Sequence, residues 1–209
     1  MKKCEAKLVI GGWSKPSKMP CKSYSLPAEA CKTGSKLRQT PGTVCSDCYA
    51  CKGMYRFPVV QAALWKRLAS LTDPNWVDAM VAIIGDDEYF RWHDSGDLQS
   101  WDHMNTIALV AGATPNCRHW LPTKEASLVK RWAKVNRIPE NLVIRISAPL
   151  VDGYANGKQK PNLLSCRSVT AEAKAPGNWT CPAPQQKGQC GSCRACWDLN
   201  VDNVDYLMH

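Results

Sequence analysis

Eight cysteines of this 209-residue chain fall into two groups whose spacing suits metal ligation. Cys45, Cys48 and Cys51 are separated by two residues each, and Cys31 lies upstream across a polar loop with Gly34, Pro41 and Gly42. Cys181, Cys190, Cys193 and Cys196 repeat the arrangement near the carboxyl end. A tight loop with such spacing can aim several thiolates at one centre. Pairs of Cys-x2-Cys are common to zinc and iron–sulfur sites. Three cysteines in series resemble ferredoxin-type ligation more than the separated pairs of a mononuclear zinc site. Iron–sulfur clusters of the 4Fe-4S kind are therefore the expected cofactors, with zinc as the alternative. If Cys31, Cys45, Cys48 and Cys51 all ligate, the first site is closed and suits structure or electron transfer. If Cys51 stands back, one metal position opens to a substrate or cofactor. Cys21 could also compete for this centre, whereas Cys4, Cys117 and Cys166 read as ordinary core or surface thiols.

A second constellation, His93-Asp94-Ser95-Gly96-Asp97, ends a predicted strand. In parallel α/β folds, binding residues gather at the carboxyl ends of strands. An imidazole and two carboxylates there could do acid–base work on a small-molecule substrate, which makes His93, Asp94 and Asp97 the candidate catalytic residues. The structural alternative has Asp97 capping a turn and His93 held by hydrogen bonds. Thr123-Lys124-Glu125 and Arg145-Ile146-Ser147 stand at or near the ends of the next strands and could face the same mouth.

The elements that must position these groups follow from pattern. Lys7 to Gly12 reads as a first strand, and Trp13 to Pro27 as irregular chain interrupted by Pro16, Pro20 and Pro27. Pro58 suits the first turn of a helix whose apolar face is Val60, Leu64, Leu68 and Leu71. Asp73-Pro74 predicts a cap and first position for the next helix, with Trp76, Val77, Met80, Val81 and Ile84 as its stripe and Gly85 as its stop. Strands are predicted over Glu88–Asp94, Arg118–Thr123 and Asn141–Ser147. Between them lie a helix capped by Ser100 and another capped by Thr123. Trp65, Trp76, Trp101 and Trp132 fall on helical apolar faces and are expected in the core. Trp179 and Trp197 flank the second cysteine group and could shield it from water.

This alternation predicts βαβ units on a parallel sheet. The three or four visible strands are too few for a complete eight-stranded barrel. The expected fold is therefore α/β, a partial (β/α) barrel or small open parallel sheet with a cysteine-rich metal-binding carboxyl-terminal region. Residues 1–150 would form the core with the first cysteine loop. Residues 151–209, poor in regular patterning and with a loop over Val151–Pro161, would form the cysteine-rich region packed on it.

Composition bounds the rest. A hydrophobic fraction of 44% and a charged fraction of 22% are ordinary for a globular protein. No apolar run approaches a membrane span, and Leu8-Val9-Ile10 is too short for a signal-peptide core. Cytoplasm is the expected location, where thiols stay reduced and twelve cysteines favour metal over disulfides. The net charge of +9 points to an anionic partner, with nucleic acid the obvious candidate. A nucleic-acid-binding module stabilised by zinc or a cluster, without catalysis, is accordingly the alternative to an enzyme.

Several segments together carry a resemblance. They are Lys18-Met19-Pro20, Ser23-Tyr24-Ser25-Leu26-Pro27-Ala28, Cys45-x2-Cys48-Tyr49-Ala50 and Lys52-Gly53-x-Tyr55. Arg91-Trp92-His93-Asp94-Ser95-Gly96-Asp97 and Cys190-Gly191-x-Cys193-Arg194-x-Cys196-Trp197 complete the set. The chain resembles the phage and prophage "gene product eighty-eight" family over nearly its whole length. The resemblance implies a host-cell cytoplasmic setting and favours Cys31, Cys45 and Cys48 over Cys51, hence a three-thiolate first site. The layout also looks like a shortened radical S-adenosylmethionine enzyme with an auxiliary cluster. There, a cysteine loop follows the first strand and a glycine-containing acidic motif the second. The usual cysteine signature has three and then two residues between ligands, against two and two here. The usual glycine-glycine-glutamate is also missing from the second strand end, which leaves S-adenosylmethionine binding open.

Overall fold

The computed structural model describes residues 1–154 and 158–208. Its strands are β1 (Lys22–Tyr24), β2 (Tyr89–Trp92), β3 (Arg118–Thr123), β4 (Leu142–Ser147), β5 (Leu163–Val169), β6 (Trp179–Thr180) and β7 (Asn203–Leu207). They form one open sheet in the order β1-β2-β3-β4-β5-β7-β6, and every neighbouring pair is parallel. The helices are α1 (Lys3–Val9), α2 (Lys32–Leu37), α3 (Pro58–Ser70), α4 (Trp76–Ile84), α5 (Trp101–Ala113) and α6 (Ala126–Val135).

Alternation along the strands separates two faces. Phe90, Trp92, Leu121, Leu142 and Ile144 point to one side, where they pack with Ala6 and Ile10, Met80 and Ile84, Met104 and Ile107, and Val129 and Trp132. Helices α1, α4, α5 and α6 thus bury their apolar stripes on one face. Trp120 points the other way and packs with Trp197 beside Tyr89, Tyr206 and Cys196. Cys166 and Val204 do the same with Ala195, Cys181 and Cys193. The cysteine-rich segment therefore covers the face opposite the helices. Its anchor is Arg145, fully buried on β4. That guanidinium donates to the carbonyls of Ala195, Cys196, Asp198 and Ser165 at 2.8–3.1 Å.

Three expectations need correction. The strand predicted over Lys7–Gly12 is helix α1 and the turn after it. Glu5 accepts from the Lys2 backbone N–H at 2.9 Å, and Ala6 and Ile10, four residues apart, share the buried face while Leu8 is exposed. The first strand is instead Lys22–Tyr24, inside the proline-interrupted stretch. Only three residues long, it offers no periodicity to read. The predicted fade after Pro149 hides three strands, so the sheet has seven rather than three or four and runs unbroken across position 150. β5 reads Leu-Leu-Ser-Cys-Arg-Ser-Val and is buried on both faces, and its polar members mask it as a strand. The loop expected over 151–161 includes residues 155–157, which lie outside the described residues.

Smaller differences have local causes. α4 starts at Trp76 after Asn75, because Asp73 accepts from the Asn75 N–H at 2.8 Å and closes a turn first. α6 is preceded by Glu125, while Thr123 Oγ1 accepts from the Glu125 N–H at 3.0 Å. Ser100 caps α5 as expected, accepting from the His103 N–H at 3.1 Å. Trp76 and Trp132 are buried, but Trp65 and Trp101 are exposed. Trp197 is buried and Trp179 exposed, so only the former covers the second cysteine group.

Candidate metal centre and sheet mouth

The first cysteine loop begins where the chain leaves β1. The loops after β1 and β2 are stitched together: the Leu26 N–H donates to the Ser95 carbonyl at 2.9 Å, and Ser95 Oγ donates to the Leu26 carbonyl at 2.9 Å. Gly96 lies against this stitch. Its φ is +75°, and a Cβ there would stand 2.5 Å from Leu26 Cβ. Beyond Leu26, the chain forms α2 and returns through Cys45, Cys48 and Cys51. Glu125, after β3, ties the start of α2 down by accepting from the Thr33 N–H at 2.7 Å and from Thr33 Oγ1 at 2.9 Å. Tyr49 donates to the Asp94 carbonyl, and Tyr55 donates to Asp94 Oδ2 at 2.9 Å. The cysteine loop, His93–Asp97 and the end of β3 therefore meet at the carboxyl mouth of the sheet.

Within the loop, Cys31 and Cys45 approach each other at Gly34. A Cβ on Gly34 would lie 3.1 Å from Cys31 Cβ and 3.6 Å from both sulfurs, so glycine gives the two cysteines room beside it. Burial raises the Cys31 thiol above its ordinary value, and Asp97, Cys48 and Cys45 push it the same way. Burial also raises Cys45, against the opposing charge of Lys124. Cys51 is raised by burial and by Cys48, with which it also shares a hydrogen bond. All twelve cysteines are free thiols. The first-group sulfurs are neighbours but not a preformed cage: among the described residues, no three His, Cys, Asp or Glu side chains come close enough together to hold a metal ion. The donor set fits a thiolate-held centre in residue type and in the room that Gly34 leaves beside Cys31 and Cys45.

The strand-end triad divides by environment. Asp97 is buried and its oxygens are taken: Oδ1 accepts from the Leu98 N–H at 2.7 Å and Thr123 Oγ1 at 2.5 Å, Oδ2 from the Lys124 N–H at 2.8 Å. Burial outweighs these donors and lifts its pKa to about 6. Asp94 accepts from Ser23 Oγ at 2.7 Å and from Tyr55, which leaves carboxylate lone pairs free. His93 has a left-handed backbone with φ 58°, uncommon for a side chain of its size. Its ring is buried with neither nitrogen hydrogen-bonded, and it faces His103 at 5.2 Å between centroids. Burial, then His103 and Arg91, hold it well below its ordinary pKa, so it is neutral at pH 7.

The second group lies on the covered face. Backbone N–H groups place it: Cys181 donates to the Asp205 carbonyl at 2.8 Å, Cys190 to Lys18 at 3.0 Å, and Cys193 to Cys190 at 3.0 Å. Cys196 Sγ lies 3.1 Å from Tyr206 Oη. Burial raises Cys181 and Cys190, and Cys193 raises both further. Burial carries Cys196 to about 12. Cys21, considered above for the first centre, belongs on this side. It packs with Trp120 and Trp197, near Cys196, and Cys190 is among the charges that act on it.

Arg91, quoted above only within a family segment, has a role that sequence reasoning missed. It alternates with Phe90 and Trp92, and so points to the covered face, where its guanidinium lies 4.6 Å from the Trp120 ring centroid. Burial opposes its charge, but Tyr49, Asp94, Tyr206 and Cys196 outweigh that and hold its pKa above the ordinary value. Tyr49 belongs to the first cysteine loop and Cys196 to the second group, so one cation stands near both. The signal was the alternation itself, an arginine between two buried aromatics.

A singly ordered parallel α/β sheet with a cysteine-bearing loop over its carboxyl mouth and a second cysteine group on its open face defines the class. The chain belongs to the Gene product 88 family, whose model matches residues 2–199. No curated protein and no solved structure matches the chain. Among the described residues, no helix is long and apolar enough to cross a membrane.

Proposed function

We propose that this protein is an iron–sulfur enzyme whose open parallel sheet acts as a partial barrel, with a reacting pocket at its carboxyl mouth. Cys31, Cys45 and Cys48 would hold the first centre, and Cys181, Cys190, Cys193 and Cys196 the second. The observation that carries the reading is the approach of the Cys31 and Cys45 sulfurs to the side-chain-free Gly34, beside a strand end bearing Asp94 and His93. When bound, such a group supplies electron transfer or Lewis acidity at a position left open by three protein ligands.

The chain's own residues supply the rest. Asp94, held by Ser23 and Tyr55, accepts a hydrogen bond from a substrate donor at its free lone pairs. His93, neutral and with both nitrogens unpartnered, accepts a hydrogen bond at the nitrogen that carries no proton. Asp97 positions rather than reacts, since its oxygens fix Thr123 and the Lys124 backbone. Lys124 donates from Nζ to Ser147 Oγ at 3.0 Å and the Ala148 carbonyl at 2.9 Å, which joins the ends of β3 and β4 and sets a positive charge near Cys45. The radical S-adenosylmethionine layout rests on no match, and no step here depends on it.

Single Cys→Ser variants test the three-thiolate site. After anaerobic purification, Cys31→Ser should lose the metal of the first centre, whereas Cys51→Ser should keep it. Equal loss in both would replace the open site with a closed four-thiolate one.

A further inference from the structure

We propose that the cleft between α3 and the ends of β1 and β2 is a binding site for a small amino-acid zwitterion. The cleft has a volume of about 260 Å³ and is walled on one side by Val59, Val60, Ala63 and Leu64 of α3. Arg67 and Asp94 line it as well, with Ser14 and Tyr55 beside them.

Arg67 is a buried cation with no carboxylate in ion-pair contact among the described residues. Its side chain donates from Nη1 to Ser14 Oγ at 2.8 Å, and its Nε has no partner. The ion pairs among the described residues are Lys22–Asp87, Lys52–Asp47, Arg137–Glu140 and Arg167–Asp205. Burial lowers its pKa from the ordinary arginine value, and Tyr24 and Asp94, which act the other way, only partly offset the lost hydration. The backbone holds it in place nonetheless. Its carbonyl accepts from Tyr24 Oη at 3.0 Å and Ser70 Oγ at 2.8 Å, and Gly11 packs against its N–H so closely that a Cβ there would lie 3.0 Å from that nitrogen.

Asp94 presents the opposite case in the same cleft. Its donors are two hydroxyls, and no cation lies within ion-pair distance among the described residues. A cation and an anion thus line one small cleft beyond ion-pair contact with each other, and aliphatic side chains of α3 line the same cleft. The complement is a molecule with a carboxylate for the guanidinium fork, an ammonium for Asp94 and a short aliphatic body for the α3 wall. Asp94 is shared with the reacting pocket proposed above, but the inference needs no metal. Its failure would leave the thiol centre as it stands.

Isothermal titration calorimetry on the full chain, purified anaerobically, tests this with L-valine, with isobutylamine, which lacks its carboxylate, and with isobutyrate, a branched aliphatic carboxylate without an ammonium. L-Valine should bind more tightly than either. Arg67→Gln should weaken L-valine and isobutyrate on the order of tenfold or more, the scale of a lost charge-assisted bidentate contact. Asp94→Asn should weaken L-valine and leave isobutyrate unchanged. Ala63→Phe, which fills the cleft from a helical position, should abolish binding while circular dichroism stays that of the wild type. This variant keeps the test decisive if Arg67→Gln fails to fold. No heat with L-valine, or binding that survives Ala63→Phe, overturns the proposal. Isobutyrate binding as tightly as L-valine overturns the zwitterion assignment. Metal content measured on the same samples separates these outcomes from loss of the thiol centre.

Discussion

Gly96 governs how closely the first two loops of the mouth approach. Any side chain there meets Leu26 Cβ and the Leu26 carbonyl at 2.5 and 2.7 Å, and the backbone is left-handed. Gly96→Ala should therefore cost about 2–4 kcal/mol in urea unfolding. It should also separate Ser95 from Leu26, seen as faster amide exchange at Leu26. A change under about 0.5 kcal/mol would mean that the loops can part without consequence. At this scale the sequence was informative where chemistry is written in residue type and spacing. The serial cysteines and the His-Asp-Ser-Gly-Asp run named groups that do meet. Arg67 escaped notice, and Gly34 and Arg91 were named without their roles, because their importance lies in what surrounds them. A glycine that gives two cysteines room beside it looks like any other glycine before the chain is folded.

At the scale of elements, Arg145 makes more hydrogen bonds between the sheet and the cysteine-rich segment than Trp197, which donates to the Phe90 carbonyl at 3.0 Å. Arg145 satisfies four carbonyls, three of them in Ala195–Asp198. Arg145→Met keeps the apolar stem but strands those carbonyls. It should destabilise the fold by on the order of 3 kcal/mol. Cys193 and Cys196 should also become faster to alkylate in the metal-free protein. Unchanged alkylation rates would show that the segment holds itself. The long amphipathic helices and the strands Arg118–Thr123 and Leu142–Ser147 were legible because periodicity accumulates with length. β1 and β6, of three and two residues, carry none. α1 misled because Leu-Val-Ile in a row satisfies a strand as readily as one turn of helix, and only packing against α4 decides between them.

At the scale of the whole molecule, three buried imidazoles outweigh the one raised carboxyl, Asp97, whose shift acts the opposite way, and so dominate the response to acid. Burial holds His93 well below its ordinary pKa and His103 and His119 at about 3. All three titrate near 6.5 when unfolded. A folded-state pKa below the unfolded one contributes stability that is present above pH 6.5 and is lost as pH falls toward 3. The urea midpoint should therefore drop between pH 7 and pH 5, and His119→Gln should flatten that drop. A midpoint that rises on acidification would contradict the assignment of neutral buried rings. The sheet's full extent was illegible at this scale. β5 carries Arg167 inward and β7 carries Asn203 and Asp205, where the three satisfy one another. Arg167 meets Asp205 through two bonds at 2.7 and 2.8 Å, and Asn203 donates to the same carboxylate at 2.6 Å. A buried polar network of this kind erases the hydrophobic alternation by which a strand is recognised.

The central claim is that the two cysteine groups hold separate iron–sulfur centres. Iron, acid-labile sulfide and zinc, measured together on anaerobically purified wild type, Cys45→Ser and Cys193→Ser, test it most directly. The account predicts iron and sulfide in the wild type, partial loss in each variant, and complete loss when both changes are combined. Zinc without sulfide in the wild type, or iron unchanged in both variants, would contradict it.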